Sequence, residues 1–131
     1  MAAVVMVSAV GSPENIAIQA VSSTQEQAIF LDVPYRVYAD NPHWVPPLRS
    51  SEAHLFDADN DFLSYGVFQA FIATHNGTPA GRIVAAVNQR LIEKESQAVG
   101  IFGYFECIDN IAVAQALFDA AKIWLKQQGM Y

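Results

Sequence analysis

VGIFGYFECIDNIAVAQALFDAAKIWLKQQG, residues 99–129, decides the fold. From Val99 to Ile108 the residues are apolar or aromatic in both parities, with Glu106 the one carboxylate. That pattern predicts a strand covered on both faces. One parity carries Ile101, Gly103, Phe105 and Cys107, the other Phe102, Tyr104, Glu106 and Ile108. Asp109 or Asn110 then supplies the oxygen that caps a helix. Within that helix Val113, Ala114, Leu117, Phe118, Ala121, Trp124 and Leu125 recur at three- and four-residue spacing, which makes one broad buried stripe. Lys122 and Lys126 sit toward the negative end of its dipole, and Gly129 stands where a left-handed C-cap belongs. Strand followed by helix is the opening of a βαβ unit, whose parallel second strand is not among the 131 residues.

Upstream, residues 67–74 and 80–88 read as two strands around His75-Asn76-Gly77-Thr78, where Asn-Gly is the favoured centre of a type I′ hairpin. Residues 16–21 (IAIQAV) form an earlier strand. Ser23 with Glu26 three residues later is a capping box opening a helix that carries Ala28, Ile29, Leu31 and Val33. Pro34 ends or kinks that helix, or starts a new one over residues 35–39. NPHWVPPL, residues 41–48, is irregular, with Trp44 and Val45 expected to anchor it on the domain. Residues 50–56 suit a short helix capped by Ser50 or Ser51. Residues 57–61 (DADND) make a polar turn that lacks the glycine and distal glutamate of a calcium loop. A charged connection with Glu93, Lys94 and Glu95 leads back to the strand at residues 99–108. The order is β-α-α-β-β-β-α, an α/β (α+β) sandwich with a mixed sheet.

A chain of 131 residues with 53% hydrophobic content fills one core, here residues 16–131, leaving 1–15 as an apolar tail or an extra strand. A net charge of −6 offers no basic stripe for nucleic acid or an anionic membrane. No segment has the ~18 unbroken apolar residues of a membrane span. Cys107, the single cysteine, allows no internal disulfide and fits a reducing, cytoplasmic compartment. On a central strand it acts as a small hydrophobe.

The element order, with PYRVYADNPHWVPPL (34–48), GRIVAAVN (81–88), GIFGYFECID (100–109) and AVAQALFDAAKIWLKQQGM (112–130), resembles the N-terminal half of a GNAT-type N-acetyltransferase fold, in a bacterial family of mostly uncharacterised proteins. The resemblance covers residues 16–130 and stops before the fifth strand of that fold. It implies acyl transfer from acetyl-CoA or another acyl-CoA to an amine, completed by sequence beyond these residues. It also places Glu106 where such enzymes hold a general base, with Tyr104 on its face lining an acceptor pocket. The cofactor's pyrophosphate would lie on the backbone of Ile108, Asp109, Asn110 and Ile111. That stretch has neither glycine nor arginine, and Asp109 brings negative charge to where a phosphate would sit. The alternative function is therefore a non-catalytic domain that binds a ligand or a protein.

The remaining candidates read structurally. Arg82 pairs with a carboxylate such as Asp32 or Glu106, or binds an anion. His43, His54 and His75 share no metal-ligand spacing, so no metal site is expected. No proline or lysine interrupts residues 99–108, so the unpaired edge of this strand is expected to make a homodimer, unless residues 2–10 fold back over it.

Overall fold

The computed structural model describes residues 4–8 and 15–130. Five strands form one sheet in spatial order β1-β2-β3-β4-β5: β1 Val4–Ser8, β2 Asn15–Ala20, β3 Gly66–His75, β4 Thr78–Asn88 and β5 Ile101–Cys107. Every pairing is antiparallel. The mixed sheet expected from the sequence is therefore corrected to an antiparallel one among the described residues. Each strand follows its neighbour through a chain reversal, and a parallel pair needs a strand after a crossover helix. β1 pairs with β2, at the edge opposite β5, so it does not cover the β5 edge.

Helices lie on both faces. α4, Ile111–Gln127, covers β2, β3 and β4. Its Val113, Ala116, Leu117 and Ala121 close a core with Ile16, Ile18, Phe71, Ile83 and Ala85. α1, Thr24–Val37, covers the other face of β3, β4 and β5, where Phe30 packs with Val21, Ala70, Ile72 and Val84. α2, Arg49–Ala53, and two 3-10 turns, His54–Phe56 and Asp61–Ser64, complete that layer. α3, Gln89–Glu95, occupies the charged connection, which the sequence reading left without structure. Asn88 caps it, its side chain accepting from the Leu91 amide at 3.1 Å.

Local signals hold where one residue satisfies another a few positions away. The Ser23–Glu26 capping box forms in both directions. The first-turn amides of α4 donate to Asn110 Oδ1, Ala112 at 2.9 Å and Val113 at 3.2 Å, which makes Asn110 the cap. At its end Gly129 has φ +81°, and Met130 N–H donates to Leu125 O at 2.9 Å in a Schellman closure. By contrast α2 has no side-chain cap: Leu48 stands at its N-cap, and neither Ser50 nor Ser51 caps it.

The hairpin turn has Asn76 at φ +51° and Gly77 at φ +84°, both positive as a type I′ turn requires. Gly77→Val is expected to cost about 1–3 kcal/mol of stability, since a β-branched residue at positive φ is strained. Asn76→Ala costs less in backbone strain but loses the hydrogen bond that its Oδ1 accepts from Asn15 N–H at 2.9 Å. Urea unfolding ranks the two, and equal midpoints for wild type and Gly77→Val would refute the turn's role.

Pro34 neither ends α1 nor starts another helix. It sits inside one continuous helix. A proline there deprives the carbonyl four residues back, that of Phe30, of its helical donor. Buried Arg82 replaces it, Nη1 donating to Phe30 O at 3.2 Å. Downstream, Trp44 stacks against Tyr35 and Tyr38, both at 5.3 Å between ring centroids, and so anchors the proline-rich segment. Val45 does not share that role and is 84% exposed.

Candidate functional site

β5 carries the residues singled out by sequence, and two of its features depart from the expected central strand. It is an edge strand: only β4 pairs with it among the described residues, and Ile101, Phe102 and Tyr104 are exposed. It is also bulged. Gly103 lies opposite Val84 and Glu106 opposite Arg82, so Tyr104 and Phe105 together face the single residue Ile83. Tyr104 takes φ +54°, a costly conformation for a bulky residue and one that collects at functional sites.

The bulge breaks strict alternation. Phe102 and Phe105 both turn to α4, where they meet Phe118 at 5.2 and 4.7 Å between centroids. Tyr104 and Glu106 instead share the α1 face, as the sequence implied. Tyr104 lies 6.1 Å from the Phe30 ring, and its own ring is 5.6 Å from the Arg82 guanidinium carbon. Glu106 Oε2 accepts from the hydroxyl of Tyr38, at the C-cap of α1. Its other oxygen, Oε1, has no hydrogen-bond partner among the described residues. The Glu106 hydrogen bond is the main reason the Tyr38 hydroxyl is pushed up to about 12, with burial adding to it. Tyr38 therefore stays a proton donor to Glu106 at neutral pH.

Beneath them Arg82 is 2% exposed, the only charged side chain in the core of the described residues. Its partner is Glu52 of α2, at 3.1 Å from Nη2 to Oε2, rather than Asp32 or Glu106. Asp32 is held by Arg36 at 3.0 Å and Arg49 at 3.1 Å. The partner could not be read from sequence, because α2 folds over β4 only in three dimensions. The guanidinium also lies 4.8 Å from the Phe30 ring centroid, while Arg82 Nε is buried with no partner.

A cavity of about 300 Å³ opens beside this group. Val84 and Ala86 of β4 and Phe68 of β3 line it together with residues 101–104 of β5. Leu55 and Phe62 complete the apolar lining, and Ser51, His54 and Asn60 add its polar groups. The sequence reading missed it, since its walls come from five separate segments.

Two of the four amides proposed to hold phosphate, those of Ile108 and Asn110, are engaged. Ile108 N–H donates to Ala80 O at 2.9 Å, Asn110 N–H to Ile108 O at 2.7 Å, and the Asn110 side chain takes the amides of Ala112 and Val113 in α4. Ile111 is exposed, and Asp109 stands beside the helix start.

Other candidates resolve simply. His54 sits 2.8 Å from Asp57 and 4.0 Å from Asp59, an exposed group in which Asp57 raises the imidazole's proton affinity. Cys107 is half-buried against the α4 core, and burial pushes its thiol up to about 11. At pH 8 the thiolate is then about one part in a thousand. Alkylation by iodoacetamide is expected to be slow at pH 8 and to rise about tenfold per pH unit through pH 10. A plateau below pH 9 in the rate profile would contradict this.

No helix among the described residues is long and apolar enough to cross a membrane. No family model matches the chain. No solved structure matches it either. Curated bacterial proteins similar to it include Protein YghO of Escherichia coli K12, 36% identical over 100 residues, which are 76% of this chain and 26% of that protein. Another is Bacterial ceramide synthase of Caulobacter vibrioides, 32% identical over 117 residues, 88% of this chain and 30% of that protein. The chain thus spans between a quarter and a third of the length of these relatives.

Proposed function

We propose that this chain is the amine-accepting portion of a GNAT-type N-acyltransferase, with Glu106 as proton acceptor. The observation that carries the reading is the Glu106 carboxylate, fixed through one oxygen by Tyr38 and without a hydrogen-bond partner at the other among the described residues, on the same face of β5 as Tyr104, which lines an open cavity. A positioned carboxylate of this kind suits general-base work. It takes the proton from an amine whose nitrogen attacks the carbonyl carbon of an acyl thioester. The C–N bond forms, the C–S bond breaks, and the sulfur leaves as a thiol. The bulge at Tyr104 and the open edge of β5 agree with a strand that borders a ligand cleft. A relative named for ceramide synthesis adds weight, because a ceramide is the amide of a fatty acid and a long-chain amino alcohol.

In this reading the donor's phosphates are held by sequence beyond these residues, since the Asn110 side chain takes the Ala112 and Val113 amides at the α4 N-terminus. That engagement also favours the second reading, a domain that binds a ligand without catalysis. Thiol release from millimolar long-chain acyl-CoA, with and without a long-chain amine, separates the two. Amine-dependent release supports acyl transfer, and none above buffer at donor concentrations where calorimetry shows the acyl-CoA bound leaves binding alone. Acetyl-CoA is expected to bind more weakly than about 100 µM, and calorimetry showing tighter binding would refute this account of the helix terminus. We also propose that the β5 edge, unpaired among the described residues, pairs with a second copy. Light scattering that shows a monomer at every concentration would sink that dimer.

A further inference from the structure

Arg82 and Glu106 are direct partners in the β4–β5 register, and both side chains lie on the α1 face. Residues so paired are about 5 Å apart at Cα, within reach of a long side chain. Even so, no ion pair joins them; Arg82 turns to Glu52. Glu52 takes Nη1 and Nη2 through both carboxylate oxygens, at 3.1 to 3.3 Å. It reaches them from α2, a five-residue helix with no buried residue and no side-chain cap. One donor is left over, since Arg82 Nε is buried without a partner. Glu106 Oε1 likewise accepts no hydrogen bond among the described residues. The Nε–Nη2 edge of a guanidinium fits a carboxylate bidentately, so one buried cation stands between two carboxylates that can each take it. The other cations are placed elsewhere. Arg36 and Arg49 share Asp32, Arg90 lies over the Tyr65 ring, and the His54 imidazole is at Asp57. Lys94 is on α3, and Lys122 and Lys126 are on α4, which packs on the opposite face of the sheet. The Tyr38 hydroxyl is raised chiefly by its bond to Glu106, and the Arg82 charge works against that rise.

We propose that Glu52 is a positioning residue: by holding Arg82 it keeps the second oxygen of Glu106 open to an amine proton. The inference rests on the acyl-transfer reading for the use of that oxygen, but the hold on Arg82 is tested without turnover. In Glu52→Gln a buried cation loses its counter-ion, and Glu106, opposite it in the register, is expected to take it. The test compares Glu52→Gln, Glu106→Gln and the double variant in the full chain. Glu106→Gln alone should barely move the urea midpoint, whereas in the Glu52→Gln background the same change should lower it by about 1 M. Tyr38 should titrate below about 12 in Glu52→Gln, because Arg82 then offsets the charge that raises it. Glu52→Asp keeps a carboxylate for Arg82 and should leave Tyr38 unmoved. Additive midpoints, or Tyr38 still at about 12 in Glu52→Gln, overturn the proposal. A Glu52→Gln chain that fails to fold overturns it too, since Glu106 has then not taken Arg82. Amine-dependent thiol release should fall at least ~10-fold in Glu52→Gln and recover in Glu52→Asp. Non-additive midpoints with no release in the wild type would uphold the hold on Arg82 and sink acyl transfer. Release that Glu52→Gln leaves intact would do the reverse.

Discussion

Arg82→Met is expected to lose about 3–5 kcal/mol of folding stability, the usual cost of removing one partner from a buried ion pair. Three things fail together. Glu52, its side chain 16% exposed, keeps a charge with no counter-ion. The Phe30 carbonyl, which Pro34 leaves without a helical donor, loses the Arg82 N–H that replaced it. The Phe30 and Tyr104 rings lose the cation between them. Urea unfolding of Arg82→Met and of Arg82→Met with Glu52→Leu measures the parts. The double variant should recover some of the loss, because the unpaired carboxylate is gone. Arg82→Lys should fall between, since a single ammonium cannot serve a carboxylate and a carbonyl with a planar fork. A loss below ~1 kcal/mol in Arg82→Met would show that the pair is marginal to the fold.

Glu106→Gln is the second large effect, on rate rather than stability. If amine-dependent thiol release is the activity, it should fall about 10²–10⁴-fold, the range for removing a general base. The amide still accepts from the Tyr38 hydroxyl, so unfolding should barely move. Tyr38→Phe should cost less in rate, because it loosens the carboxylate without removing it. The variants also separate a chemical role from a structural one. Removing the Glu106 charge takes away the main cause of the high Tyr38 value, so Tyr38 should titrate below about 12 in Glu106→Gln. Ultraviolet titration of the tyrosines detects that shift. Full activity in Glu106→Gln with the shift present would leave Glu106 as an anchor for α1 and nothing more.

Much of this fold was legible because it is written locally. Asn76-Gly77 sets its own turn through backbone φ preferences, and Ser23–Glu26 closes within one helical turn. Asn110 and Gly129 bound α4 for the same reason, and the three- and four-residue spacing of Val113, Leu117 and Ala121 marks the buried stripe. The pairing of Tyr104 and Glu106 on one face was also foreseen, though the alternation that led to it fails around the bulge.

Tertiary structure decided what local preference opposes or leaves open. Pro34 reads as a break, yet α1 continues through it because Arg82, 48 residues later, supplies the missing donor. Arg82 had several carboxylates within conceivable reach, and only the fold of α2 over β4 selected Glu52. Phe102 and Gly103 traded faces because β5 takes one extra residue opposite Ile83, a matter of register with β4 that period-two reading cannot see. Strand, turn and cap come from forces acting over three or four residues. Burial of a charge, rescue of a carbonyl and the shape of a cavity come from groups that meet only once the chain has folded.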